Sequence, residues 1–456
     1  MRKPRLSSRE LQIRQQLSEN PGLLFEDVLS EDEFDEHCRA LGHTWRERIF
    51  TPLVTLWAFL AQVLSADGSC REAVAQVMGF LYHTKGLTAS HDPSSYCAAR
   101  RRLPQALLPN LARLVGSKLR DQVPEELLWL GRRVRLVDGS SVQMPDTPEN
   151  QAAFPQPSAQ RAGCGFPVAR LAALFDLATG TLVDLALGAL QKAETTLFRE
   201  IWDALKPGDV VVGDRLFGSY SDFALLPERG VDCVFRLHAK RKINWRQGCP
   251  LGRNDRLIPW PKGRRPAWLS REEFADLPQE LTLRHIRFRC TVPGFRVHQI
   301  VLVTTLLDAE AYPASKIAEL YNQRWDVETD LGHLKTTMKM DLLRTRTPEM
   351  IRREVWAYLL AYNLIRMLMW DAADRTRLHP LRLSFKGTMQ EMRALWPFSM
   401  AQGDTDLTAY YEALLRGISR HKVPLRSGRT EPRLRKRRPK NYSLLGAPRH
   451  ECRRQS

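Results

Sequence analysis

The chain has 456 residues, more than one ordinary domain holds, so two to four folded units are expected. Hydrophobic residues at 43% and charged residues at 26% exclude a disordered chain and suit a soluble globular one. The net charge of +18 points to a polyanionic partner, with nucleic acid ahead of an anionic membrane surface. Eight cysteines stand singly, with no C-x-x-C pair and no Cys/His cluster of zinc-ligand spacing. Isolated thiols of that kind read as a reducing compartment. The N-terminal Met1-Arg-Lys-Pro-Arg-Leu-Ser-Ser carries no secretory signal. The apolar stretches Pro52–Leu64 and Val355–Trp370 are too short, or too interrupted by Asn363 and Arg366, to span a bilayer. A cytoplasmic protein with no membrane partner is the expectation.

In chain order, residues 1–125 read as a helical region. Leu53, Leu56, Trp57, Leu60, Val63 and Leu64 recur at helical spacing. Ser94-Ser95 reads as the cap of a basic helix that carries Arg100, Arg101 and Arg102, which is either an ordinary surface helix or one that contacts DNA. From Arg132 the pattern changes. Arg133–Asp138 alternates and runs into an Asp-Gly turn; Val168–Leu177 and Leu182–Leu187 are further strands. Then follow a helix over Glu194–Leu205, an apolar strand Val210–Asp214, a helix from Tyr220 and a strand Val231–Leu237. The order β-β-β-α-β-α-β predicts a mixed α/β layer over 130–238. Residues 239–296, basic and holding Trp245, Trp260 and Trp268, read as a β-rich insertion. The α/β core resumes over 297–372 with a strand, the helix of Glu328 and a long apolar helix. The C-terminal region, 373–456, ends in a basic tail. Arg416–Ser456 holds 14 Lys/Arg against 2 Asp/Glu. That tail is either a solvated surface or an arm that grips phosphates.

The most informative segment is Tyr321-Asn-Gln-Arg324-Trp-Asp-Val-Glu328-Thr-Asp-Leu-Gly-His-Leu-Lys335. On one continuous helix, Tyr321, Arg324, Glu328 and Lys335 fall within an arc of about 60°. Leu320, Val327, Leu331, Leu334 and Met338 form an apolar stripe beside it, which buries the helix and leaves the polar stripe at the rim. Asp138 and Asp214 each close a predicted strand, where a carboxylate is fixed by the backbone yet open to a hard divalent ion. Taken singly, an Asp before Gly is a turn former; with Glu328 the three carboxylates suggest a metal site.

Y-x2-R-x3-E-x6-K resembles, residue for residue, the signature of the IS4 family of DDE transposases from insertion sequences. Val137-Asp138-Gly139, Gly213-Asp214-Arg215-Leu-Phe217, Gly163–Arg170 and Glu431–Lys440 resemble further segments of that family. The resemblance implies a ribonuclease-H-like mixed-sheet core in which Asp138, Asp214 and Glu328 hold two Mg²⁺ ions, with Mn²⁺ able to substitute. It implies strand cleavage at element ends and transfer of the 3′-OH into target DNA, the cut-and-paste route. Arg324, Lys335 and Tyr321 would contact DNA phosphates; Arg215 would do likewise or form a structural ion pair. The partners implied are double-stranded DNA, as terminal inverted repeats and target, and a second copy of the chain in a homodimer on the paired ends, in a prokaryotic nucleoid. In relatives the insertion carries a Trp that stacks on a flipped base; among Trp245, Trp260 and Trp268 the sequence does not choose, and core packing competes for each.

Overall fold

The computed structural model describes residues 31–46, 48–86, 89–241, 243–289, 299–399, 407–423 and 445–452. The basic run Arg433–Lys440 lies outside them. The chain forms two compact units: Met1–Gln122, Met144–Ala153 and Gly332–Pro424 make one, and Val123–Gln143, Phe154–Leu331 and Leu425–Ser456 the other.

The first unit is helical among its described residues. Its axis is the helix Pro348–Thr376, longer than the apolar run alone suggests because Thr347 caps it and Pro348 opens it. Around it pack the helices Pro52–Leu64, Leu107–Asp121, Phe385–Ser399 and Leu407–Arg420. The polar interruptions of the apolar run are built into this packing. Asn363 is fully buried and donates its side-chain amide to the Ala112 carbonyl at 2.8 Å. Arg366 donates Nε to the Tyr362 hydroxyl at 2.9 Å. The basic helix runs Ser94–Arg102 with Pro93, not a serine, at its N-cap. Of its three arginines, Arg100 is buried, gives Nη1 to Gln62 Oε1 at 2.8 Å and lies over the Phe59 ring; Arg101 and Arg102 face solvent.

The second unit is built on one nine-stranded sheet. Its strands are β1 (Val134–Gln143), β2 (Val168–Asp176), β3 (Leu182–Ala189), β4 (Val210–Gly213), β5 (Asp232–Arg236), β6 (Cys249–Gly252), β7 (Asp255–Pro261), β8 (Glu280–Arg289) and β9 (Gln299–Thr304). Their spatial order is β3-β2-β1-β4-β5-β9-β8-β7-β6. β1, β4 and β5 run parallel, and every other neighbouring pair is antiparallel. β4 is apolar throughout because both of its faces are covered. The insertion is therefore no separate layer: β6, β7 and β8 continue the sheet beyond β9. Arg284 of β8, fully buried, anchors this extension with Nε on Asp255 Oδ1 at 2.9 Å and Nη1 on the Leu306, Asp308 and Tyr312 carbonyls. The helix after β3 is shorter than the sequence suggests, Glu194–Arg199 followed by a 3₁₀ turn Trp202–Ala204, since Ile201, Trp202 and Leu205 all turn into the core.

Candidate active site

The parallel pairing of β1 with β4 sets the site. The last registered pair is Val137 with Gly213, so Asp138 and Asp214 are the next residues along, Asp214 just past the end of β4. Neighbouring strands lie about 4.8 Å apart, so the two residues stand on adjacent backbones. Gly213 permits this spacing: a Cβ there would sit 2.8 Å from Val137 Cγ1 and 3.1 Å from Phe217 and Phe235 ring atoms. The structure corrects the reading of Asp138-Gly139 as a turn. β1 runs on to Gln143, pairing Asp138 with Ala173 and Gly139 with Ala172 of β2. What ends at Asp138 is the parallel partner, not the strand. Asp138 Oδ1 accepts from the Gly139 amide at 2.8 Å, and Asp214 Oδ1 from the Arg215 amide at 2.5 Å.

The opposite wall comes from the helices Ala314–Gln323 and Trp325–Gly332, joined at Arg324, whose backbone keeps helical angles. Ile317, Leu320, Val327 and Leu331 are buried and hold this run in place. Arg324 is only 6% exposed and gives Nη2 to Glu328 Oε1 at 3.3 Å. Its Nε is buried with no hydrogen-bond partner, an orphan donor inside an acidic site. Tyr321 is buried beneath that guanidinium, 5.7 Å from ring centre to carbon, and burial pushes its phenol up to about 12. Glu328, by contrast, is half exposed at 44%.

Burial raises Asp138 to about 6, against the pull of Arg324 and with Glu328 and Glu194 adding to the rise. Arg324 is the shared counter-ion: Asp138, Glu328 and Asp214 all help hold its charge. Among the described residues no three acidic, His or Cys side chains close round one point as metal ligands. The donor set nevertheless fits a hard divalent ion in kind, being carboxylate oxygen throughout with one cation to balance several anions.

The helix does not keep one pitch as far as Lys335. Residues His333–Thr337 form a π turn, so the arc computed for a regular helix holds for Tyr321, Arg324 and Glu328 but not for Lys335, which belongs to the helical unit. Arg215 is exposed beside Asp214. Trp260 sits in the core, 5.2 Å from Phe223; Trp245 and Trp268 lie under the guanidinium groups of Arg287 and Arg199. Glu194, legible in the sequence only as the start of a helix, lies against Gly139 beside Asp138.

The transposase DDE domain family model matches residues 129–364, more than half of the chain and the span that holds Asp138, Asp214 and Glu328. The chain is 24% identical over 409 residues to transposase InsG for insertion sequence element IS4 of Escherichia coli (strain K12), covering 88% of each. It is 23% identical over 215 residues to the transposase for insertion sequence element IS231F of Bacillus thuringiensis subsp. israelensis, covering 46% of this chain and 42% of that one. A solved piggyBac transposase synaptic complex with hairpin DNA aligns at a TM-score of 0.43 and 11% identity over 90% of this chain and 87% of that one; nothing further is built on that likeness. No helix among the described residues is long and apolar enough to cross a membrane. With the family model matched across the site, the chain belongs to the DDE transposases, in the IS4 family.

Proposed function

We propose that this transposase cleaves DNA strands at the ends of its element and joins the freed 3′-OH to target DNA, with Asp138, Asp214 and Glu328 as its metal-holding carboxylates. The observation that carries the reading is the β1–β4 register, which sets two aspartates on adjacent backbones against the helix of Arg324 and Glu328. The order β3-β2-β1-β4-β5, with β1, β4 and β5 parallel, supports a ribonuclease-H-like core.

Two Mg²⁺ ions, or Mn²⁺ in their place, held by these carboxylates would supply an activated oxygen nucleophile and a Lewis acid at the leaving oxygen. The remaining work belongs to the chain. Arg324, held by Glu328 through Nη2, supplies its positive charge to a phosphate at the site. Tyr321 backs that guanidinium and would contribute its hydroxyl to a DNA phosphate. Arg215, exposed beside Asp214, and Lys335 grip phosphates of the duplex next to the scissile bond. Because no covalent enzyme intermediate is needed, water serves as nucleophile for cleavage and a DNA 3′-OH for joining. Joining needs two ends in one assembly, so the functional form is a homodimer on paired terminal inverted repeats, in the cytoplasm at the nucleoid.

The test incubates the purified chain with DNA that flanks its own gene, in Mg²⁺ or in EDTA, beside a Glu328→Gln variant. Metal-dependent breaks at one defined junction, reduced by about 10³-fold or more in the variant, are expected. Scattered nicks without a junction would mark a ribonuclease-H-like nuclease with no end recognition. Specific binding without cleavage by the wild type would mark a retained DNA-binding protein.

A further inference from the structure

Gly139 is flanked by two carboxylates. On one side its amide holds Asp138; on the other its bare Cα is covered by the side chain of Glu194. A Cβ at Gly139 would overlap the Glu194 carboxyl group and come within 2.6 Å of Glu194 Cγ. The glycine therefore forms the seat of that glutamate, at a mid-strand position where chain reversal plays no part.

Glu194 is delivered from a firm element. It opens the helix Glu194–Arg199, whose Leu197 and Phe198 are buried in the core. Arg199 in turn makes a two-point ion pair with Asp222, at 2.8 and 2.9 Å. A surface glutamate at a helix start would point to water. This one instead lies over β1, 26% exposed. Its ion-pair partner is Arg170, with Nε 3.9 Å from Glu194 Oε1 and Nη1 on the Lys192 carbonyl at 3.0 Å. One arginine at 3.9 Å balances one charge, and two carboxylates seated on either side of one glycine still repel each other unless a further positive charge joins them.

We propose that Glu194 is a fourth acidic residue of the active centre, a positioning residue that helps hold the divalent ion at Asp138, and that Gly139 is glycine to seat it. This rests on the reading of Asp138, Asp214 and Glu328 given above. Its chemistry is that of a support carboxylate, which orients an ion or its coordinated water without entering bond making.

The test measures Mn²⁺ binding to the full-length protein by the electron paramagnetic resonance signal of the free ion, with no DNA and no turnover. Four variants are compared with the wild type: Asp138→Asn, Glu194→Gln, Gly139→Ala and the double variant of the last two. Glu194→Gln is isosteric, and thermal unfolding of each variant checks that it folds. The expected result is a 10–100-fold weaker Mn²⁺ affinity in Glu194→Gln, the range for loss of a supporting ligand. Gly139→Ala should show a similar loss that disappears when Glu194 is already Gln, since both then remove one interaction. Wild-type affinity in Glu194→Gln, with binding lost in Asp138→Asn, overturns this proposal and leaves the three-carboxylate reading standing. An equal effect of Gly139→Ala with or without Glu194 also overturns it, by placing the defect in the backbone. Absence of Mn²⁺ binding by the wild type sinks both readings together.

Discussion

Two glycines govern the chemistry of this site, for different reasons. Gly213 lets β1 and β4 approach, and Gly139 makes room for another residue's side chain. Substitution of Gly213 by Ala forces a methyl to within 2.8 Å of Val137 in a fully buried layer. Overpacking of that kind costs about 1–3 kcal/mol, and a fall in the urea midpoint without a change in slope checks it. The three proposed carboxylates could be picked out in the sequence because each sits in a local pattern: an apparent strand end at Asp138, a strand end at Asp214 and a helical spacing at Glu328. The seat at Gly139 could not. A glycine that serves a distant neighbour leaves no mark in its own surroundings, and beside an aspartate it imitates a turn. The helical spacing was legible only as far as the helix was regular, and the π turn at His333–Thr337 breaks the phase before Lys335.

Among the elements, both halves of the sheet bury charge: β1 carries Arg135 between Asp176 and Asp209, and β8 buries Arg284 and His285. His285 is 2% exposed, has Nδ1 3.1 Å from the Leu283 carbonyl and is lowered to about 4, chiefly by burial. Its ordinary value is 6.5, so between about pH 6.5 and 4 the unfolded chain binds a proton that the folded chain refuses. Stability therefore falls as pH drops through that window, by on the order of 2–3 kcal/mol for this group. Urea unfolding of wild type and His285→Asn from pH 7 to 4.5 checks it: the gap between the two midpoints should narrow as the pH falls. A gap that does not change with pH would place the acid sensitivity elsewhere. The insertion was legible as β-rich and β9 as a strand, but β6 and β7 were not read as strands of their own. Membership in one sheet was not legible, because the pairing of β5 with β9 joins segments separated by the whole insertion.

For the molecule as a whole, the +18 charge is the property that reaches furthest from the surface. If 6–10 of the cationic side chains neutralise phosphates, affinity for any duplex falls by about 10³–10⁵-fold between 50 and 200 mM salt. A filter-binding series with a random-sequence duplex measures that slope, and a flat response would show that the charge faces something other than nucleic acid. The class of partner was legible in composition; its site of engagement was not, since the densest cationic run lies outside the described residues.

The strand order has a bearing on how the enzyme comes into being. β9 slots between β5 and β8, yet it is made last of the nine, and Glu328 is made later still. While the chain is being synthesised, β5 therefore waits with an open hydrogen-bonding edge until the insertion has been completed and β9 has returned to it. A chain cut short within the insertion keeps that edge exposed, the condition that favours aggregation, and it lacks the third carboxylate. Truncated copies of such a gene are therefore expected to be poorly soluble, whereas the intact copy gains Glu328 only after β9 has been made and the sheet can close.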